Sequence, residues 1–280
     1  MTVFITGATG YIGSSVVHAF LARNHRVIGL TRSRAKAEEL ARTGVEPMVG
    51  SISDSGLLEE MARQSDVAVH AAVDYGPDPR ALDETGVTAM LSGLNGGGCL
   101  LYTSGTWVFG DTGEGIADEE TPRAAIAEVH WRPAIEDHVM ARGGIVIRPG
   151  VVYGGGRGMT VEWFEAIRAG RPVEVVGDGT NIWPMVHVED LARAYVAAAE
   201  HGRPGRSYNI VDDSEDSWLD LLHQVGRLEG GVPLVRHVDR ETAWSRMGVM
   251  AEAVSITQRI SNARAKQELG WYPEHRGLGR

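Results

Sequence analysis

The stretch Thr6-Gly7-Ala-Thr-Gly10-Tyr-Ile-Gly13 constrains the fold of this chain more than any other. It follows a short apolar run, Val3–Ile5, and opens an amphipathic stretch, Ser14–Arg23. A glycine triplet alone says little. Set between a strand and a helix, it provides a tight turn at Gly7, an open backbone at Gly10 and close helix–strand packing at Gly13. The start of the helix offers unpaired N–H groups and a positive dipole end to phosphate oxygens. Thr6, Gly7, Thr9, Gly10, Tyr11, Ile12 and Gly13 are therefore read as a pyrophosphate-binding turn.

The rest of the first half repeats this alternation. Val27–Leu30, Val45–Val49, Val67–His70, Leu100–Thr103 and Ile145–Ile147 have the apolar, β-branched character of buried strands. Helical stretches lie between them at Ala35–Arg42 and Gly56–Gln64. The expected fold is α/β, a doubly wound parallel sheet of Rossmann type with a smaller, discontinuous C-terminal substrate lobe. Residues 1–153 are expected to form the dinucleotide-binding domain, rejoined by about 186–211 through a helix at Val188–Glu200 and a strand at Tyr208–Val211. Residues 154–185 and 212–280 then make the lobe.

The 280 residues suffice for a large core, and the net charge of −10 provides no basic surplus for nucleic acid or an acidic membrane surface. No apolar run approaches the roughly 20 residues of a membrane span, and the first residues run straight into the glycine turn rather than forming a leader. The expected location is cytoplasmic and the expected partner a small-molecule substrate; a homodimer is compatible with the sequence. Cys99, the single cysteine, reads as a buried small hydrophobe. No cluster has metal-ligand spacing.

The second strand ends Thr31-Arg32-Ser33-Arg34, with Lys36 following. A site built for an unphosphorylated ribose places a carboxylate here. Cations without one favour a 2′-phosphate, which a guanidinium grips through two N–H groups. The cofactor expected is NADP(H), with Thr31 at the strand end, Arg32 the main contact and Ser33 or Lys36 assisting.

Further motifs extend almost end to end: Val69-His-Ala71-Ala72, Tyr102-Thr-Ser-Gly-Thr-Trp-Val-Phe-Gly110, Ile147-Arg-Pro-Gly-Val-Val-Tyr-Gly154, Val176-Gly-Asp-Gly-Thr180, Val186-His-Val-Glu-Asp190 and Glu268-Leu-Gly-Trp-Tyr-Pro273. With the glycine turn, they make the chain resemble the extended and atypical short-chain dehydrogenases/reductases, the group of nucleotide-sugar epimerases and dihydroflavonol-type reductases. The resemblance implies cofactor contacts from Ala71 and Ala72, and a nicotinamide pocket near Pro149, Val151 and Val152.

The catalytic motif of that group departs. Its Tyr-x-x-x-Lys pair uses lysine to lower the phenol from about 10, so that it passes a proton at neutral pH. Aligned on Glu136, this chain has Glu128 and Arg132 in those places, and no tyrosine anywhere is followed four residues later by lysine. Only two of the 27 basic residues are lysines, Lys36 and Lys266. Pro133 suits the first turn of a helix that begins here, not a helix interior. Arg132 stays protonated and can only orient ribose hydroxyls or hold a substrate carboxylate. Gly105 stands in the usual serine place, leaving Ser104 and Thr106 to bond a substrate oxygen. Tyr75, Glu128 and His130 are the remaining proton-transfer candidates. Where nucleotide-sugar enzymes carry an anion-gripping arginine, this chain has Asn181-Ile-Trp183-Pro184. Trp107, Trp131, Trp163 and Trp183 would make an aromatic mouth if they converge.

These residues lead to an NADPH-dependent reductase of a small, largely apolar carbonyl or conjugated compound, with a non-standard proton donor. The alternatives are a non-redox isomerase, dehydratase or cyclase on the same scaffold, and a catalytically silent NADP(H)-binding regulator.

Overall fold

A computed structural model describes residues 1–74, 76 and 78–278. The chain opens with β1 (Thr2–Thr6), α1 (Tyr11–Ala22), β2 (Arg26–Thr31), α2 (Arg34–Arg42), β3 (Glu46–Val49), α3 (Ser55–Arg63), β4 (Val67–His70), α4 (Pro79–Leu94) and β5 (Cys99–Thr103). It continues through β6 (Ile116–Ala117), α5 (Arg132–Ala141), β7 (Ile145–Pro149), β8 (Val151–Tyr153), α6 (Val161–Arg168), β9 (Val173–Val176), β10 (Met185–His187) and α7 (Val188–His201). The last elements are β11 (Ser207–Ile210), α8 (Trp218–Glu229), β12 (Val235–Val238), α9 (Arg240–Met247), α10 (Met250–Ser255) and β13 (Arg259–Ile260).

Seven parallel strands form one sheet in the order β11-β7-β5-β4-β1-β2-β3. Side chains alternate across it. Val3 and Ile5 of β1 pack with Val16, Val17 and Phe20 of α1 and Leu191 and Tyr195 of α7. Phe4, between them, points to the other face and its core of Leu58, Met61, Met90, Leu94, Ile135 and Val139. Both faces are covered, which explains strands that read as continuous apolar runs. The expected doubly wound sheet is what forms, and the 208–211 stretch rejoins it as its edge strand, β11. Residues from β8, α6, β9, β10, α8, α9 and α10 build a separate core around Trp163, Trp183 and Trp218. No helix among the described residues is long and apolar enough to cross a membrane.

The helix α4 was not legible in the sequence. Asp78 caps it by accepting the Ala81 N–H at 2.9 Å, Pro79 occupies its first turn and a left-handed Asn95 ends it. Gly86 and Gly93 break its apolar pattern for packing reasons. A Cβ on Gly93 would sit 2.2 Å from the Glu59 carbonyl oxygen, and one on Gly86 would lie 3.0 Å from the His70 ring. Cys99 is half-buried at the start of β5, and burial pushes its thiol up to about 11.

Two buried ionic arrangements hold the periphery. Glu136 on α5, wholly buried, accepts Nε and Nη2 of Arg148 on β7 at 3.0 and 2.6 Å, and Nη1 of Arg123 at 3.0 Å. Near the C-terminus, Asp190 on α7 accepts the backbone N–H groups of Glu274 and His275, both at 2.9 Å, while its carbonyl accepts the Trp271 indole at 2.8 Å. Asp212 likewise accepts the Gly277 N–H at 2.9 Å.

Removing one partner of a buried pair strands the other charge, whereas replacing both with apolar groups need not cost stability. Glu136→Gln is therefore expected to destabilise the fold by about 3–5 kcal/mol in urea unfolding. The double replacement Glu136→Met with Arg148→Met should recover much of that loss; a double variant weaker than the single would contradict this account.

Candidate functional site

The glycine turn binds backbone to backbone. Gly7 has φ +71°, and a Cβ there would lie 2.8 Å from the carbonyl carbon and oxygen of Ala71. A Cβ on Gly13 would lie 2.1 Å from the Gly7 oxygen. Gly10 precedes α1 with no side-chain cap, and the first turn of α1 carries no acidic residue. Its N–H groups are therefore free for an anion. The Tyr11 hydroxyl donates to the Gly154 carbonyl at 2.7 Å, and its ring lies 5.4 Å from the Arg157 guanidinium. Burial pushes its phenol far above the ordinary range. Thr9 lies half-buried within the turn.

At the end of β2, Thr31 is buried and its hydroxyl accepts the Ser33 N–H at 3.4 Å. Ser33 caps α2 through the Lys36 N–H, also at 3.4 Å. Arg32 and Lys36 are exposed, and Arg32 Nη1 rests 3.1 Å from the Asp74 carboxylate.

A cavity of about 330 Å³ opens beside the turn. Ten of the residues singled out in the sequence line it: Tyr11, Ile12, Ala71, Ala72, Ser104, Thr106, Arg132, Pro149, Val151 and Val152. Arg132 stands at the start of α5, with Pro133 in the first turn as its ring demands. Its Nη1 donates to the Ser104 carbonyl at 2.7 Å, while its Nε is buried without a partner. The Ser104 hydroxyl is also buried and unpartnered. Two donors on residues that line the cavity thus lie buried with nothing to bond, an arrangement suited to an oxygen atom of a ligand. Thr106 Oγ1 is already engaged with Gln258 at 3.1 Å.

One wall holds a charged group missed in the sequence. Asp83 of α4 is 8% exposed and lines the cavity. Its Oδ2 accepts the Tyr102 hydroxyl at 2.7 Å and the Trp131 indole at 3.1 Å. Its Oδ1 is 3.2 Å from His70 Nε2, a charge contact off the axis of a good hydrogen bond. His70 Nδ1 meets the Thr6 hydroxyl at 2.8 Å. Burial pushes the Asp83 carboxyl up, but contacts with His70 and Tyr102 and the Arg132 charge more than offset this, holding it below the usual carboxylate range. The available signal was Asp83 on the apolar stripe shared by Val87, Met90 and Leu94, where a charge needs partners.

Other candidates lie elsewhere. Glu128 sits half-buried in a short 3₁₀ turn, and His130 is exposed with Nδ1 2.8 Å from the Ala127 carbonyl; neither lines the cavity. Tyr75 lies outside the described residues. The four tryptophans do not form one mouth. Trp107 lines the cavity and Trp131 packs in the sheet core. Trp163 and Trp183 stack with Trp218 inside the lobe, at centroid distances of 5.0–6.1 Å. His187 caps α7 by accepting the Glu189 N–H at 3.3 Å, and burial, then the neighbouring His275, lowers its basicity. His187, Glu189 and His275 bring ligand-type atoms within 4.8 Å of one another, but the two rings are stacked at 3.9 Å rather than converging on a point. A second cavity of about 530 Å³ lies beyond Tyr153 and Gly154. It is larger and is lined in part by Tyr153, Gly154 and His187, but none of the candidate catalytic or cofactor-binding residues lies among its described lining.

The chain belongs to the NAD dependent epimerase/dehydratase family, whose model matches residues 3–211. It is 30% identical to an uncharacterised protein of Schizosaccharomyces pombe, over 99% of this chain and 97% of that one. It is 27% identical to a 3-diazoavenalumate denitrifying reductase of a Streptomyces species, over the whole of both. The fold matches the dTDP-glucose 4,6-dehydratase of Bacillus anthracis, solved with NAD, at TM-score 0.81 and 21% identity over 98% of this chain and 92% of that one.

Because the Asp83 carboxylate is charged and buried, losing one donor to it should be costly. Tyr102→Phe is expected to lower stability by about 1.5–3 kcal/mol at neutral pH, read as a shift in the urea midpoint. A carboxylate whose folded pKa is depressed contributes above its unfolded value and loses that contribution as pH falls through the folded value. The gap between wild type and Tyr102→Phe should be full above about pH 4 and close in acid. A gap that widens on acidification would mean that Asp83 is not the group responsible.

Proposed function

We propose that the protein is an NADPH-dependent reductase of a small, largely apolar carbonyl or conjugated compound. The observation that carries this reading is the pair of unpartnered buried donors, Ser104 Oγ and Arg132 Nε, on residues that line the cavity beside the glycine turn. The reductase among its relatives supports it, as does a cavity near the lower end of the usual range for small-molecule sites. Residues 1–153 with 186–211 would serve as the cofactor-binding part, and 154–185 with 212–280 as the substrate lobe.

The uncapped start of α1 and the open backbone at Gly10 fit a pyrophosphate, with Thr6, Gly7, Thr9, Tyr11, Ile12 and Gly13 as its cradle. Ala71, Ala72, Pro149, Val151 and Val152 would flank the nicotinamide, and Thr31, Arg32, Ser33 and Lys36 the phosphorylated ribose. The Arg32–Asp74 pair is a surface contact worth at most about 1 kcal/mol, so a phosphate offering paired charged bonds displaces Asp74. When bound, the dinucleotide supplies a hydride to the substrate carbon. Arg132 Nε and Ser104 Oγ bind and polarise the substrate oxygen as negative charge builds on it. Arg132 keeps its own proton. Ser104 passes one to the oxygen and regains it from water in the cavity.

The direct test is oxidation of NADPH with a panel of quinones, enones and aldehydes. Turnover without net oxidation would move the reading to isomerase or dehydratase chemistry, and tight binding without turnover to a regulator. Ser104→Ala and Arg132→Gln should each lower kcat by about 10²-fold or more, the cost of a lost oxyanion donor. Glu128→Gln and His130→Asn, outside the cavity, should change it less than about threefold; a larger loss would return the proton-donor role to that residue.

Arg32→Ala should weaken NADPH binding by about tenfold while leaving NADH nearly unchanged. Tighter binding of NADH than NADPH by the wild type would overturn the cofactor assignment. The packed Trp163–Trp183–Trp218 cluster offers no cation at the place of the expected anion-gripping arginine. UDP-glucose should therefore give no micromolar binding in calorimetry.

A further inference from the structure

The residues lining the 330 Å³ cavity include one anion and one cation, Asp83 and Arg132, and no other charged side chain among the described residues. We propose that Asp83 sets substrate selectivity by cancelling the charge of Arg132, so that the cavity takes uncharged carbonyl compounds and turns away those bearing a carboxylate. This rests on reading the cavity as the substrate site.

Three observations carry the inference. First, both charges are fixed. Asp83 is held by Tyr102 Oη and Trp131 Nε1, and Arg132 Nη1 is committed to the Ser104 carbonyl. Neither can swing away to admit a ligand of the other's sign.

Second, His70, the other titratable side chain beside Asp83, is 1% exposed and does not line the cavity. Thr6 Oγ1 receives the Ala72 N–H at 3.4 Å and lies 2.8 Å from His70 Nδ1, but 3.5 Å from the Val69 carbonyl. Gly86 makes room for this ring, since a Cβ there would lie 3.0 Å from Cε1.

Third, Arg132 Nη1 is already used by the Ser104 carbonyl, while its Nε is buried without a partner, as is the Ser104 hydroxyl. One carbonyl oxygen matches that pair. A carboxylate would bring a second anion into the water-poor space occupied by Asp83, where like charges repel far more than in water. Selectivity built on a repulsive element of this kind is a difference between two affinities and needs no extra contact to the favoured ligand.

Benzamide and benzoate are near-isosteric probes that differ in charge. Each is titrated into the protein with and without NADPH and followed by ligand-observed NMR. The wild type is expected to favour benzamide by tenfold or more. In Asp83→Asn, the amide oxygen can still accept from Tyr102 and Trp131, but the charge is gone. The preference should fall by at least tenfold, to parity or reversal. Arg132→Gln removes the cation instead and should raise the preference for benzamide. If Asp83→Asn does not fold, the wild-type and Arg132→Gln ratios still decide. Equal or tighter binding of benzoate by the wild type, an unchanged ratio in a folded Asp83→Asn protein, a preference in Arg132→Gln that fails to rise, or no binding of either probe would overturn the proposal. The ratio is read without turnover, so a protein that binds benzamide selectively but never oxidises NADPH would sink the reductase reading and leave this one standing.

Discussion

The architecture depends on one backbone-to-backbone approach: the Gly7 turn lies against Ala71 and Ala72 with no room for a side chain between them. These segments leave neighbouring strands, β1 and β4, at the point where the strand order changes direction. From β1 the chain winds outward through β2 and β3, then returns to the other side through β4, β5, β7 and β11. The diverging connections at such a point leave a crevice that no side chain has to carve. The cavity of about 330 Å³ opens beside that gap. The glycine turn forms one lip, Ala71 and Ala72 the other, and the ends of β5 and β7 deliver Ser104 and Pro149.

An arginine rather than a lysine at the cavity wall changes what that wall can offer. A lysine ammonium is a point charge that tunes a phenol; a guanidinium is a fixed, planar fork that never gives up its proton. Here one arm of that fork is fastened to backbone, and the first turn of α5 is held rigid behind it. That rigidity comes from one turn further along the same face, where Glu136 grips Arg148 on β7 in a wholly buried pair. Glu136 and Arg132 lie one turn apart on the same helix. The ion pair therefore acts as an anchor for the cavity's cation, although it touches no ligand.

Much of the fold was legible because the sheet is buried on both faces and its strands are short apolar runs between helices. Pro133 announced the start of α5 by what proline cannot do elsewhere. The helix α4 was hidden because its glycines answer to neighbours distant in sequence, the Glu59 carbonyl and the His70 ring. With α4 hidden, Asp83 had no helical face to be out of place on. The glycine turn and the Pro149–Val152 wall were readable as local motifs. The Thr6–His70–Asp83–Tyr102 chain was not, because it draws one residue from each of four elements and exists only once the sheet has closed. Glu128 and His130 drew attention through alignment on the family's catalytic motif; the helix begins after both, as Pro133 implied.

The clasp on Asp190 bears on the timing of folding during synthesis. This carboxylate is buried completely, yet two of its hydrogen-bond donors are backbone N–H groups of Glu274 and His275, some eighty residues downstream. As a nascent chain, the protein can collapse its first five strands early, since domains condense as the polypeptide emerges. The helix bearing Asp190 cannot settle on the sheet at full stability until residues 271–278 have left the ribosome. Until then a buried charge lacks half its partners, and the apolar face of α7 stays loosely held beside an open sheet edge. The docking of α7 on the sheet is thus completed by a segment far downstream of it.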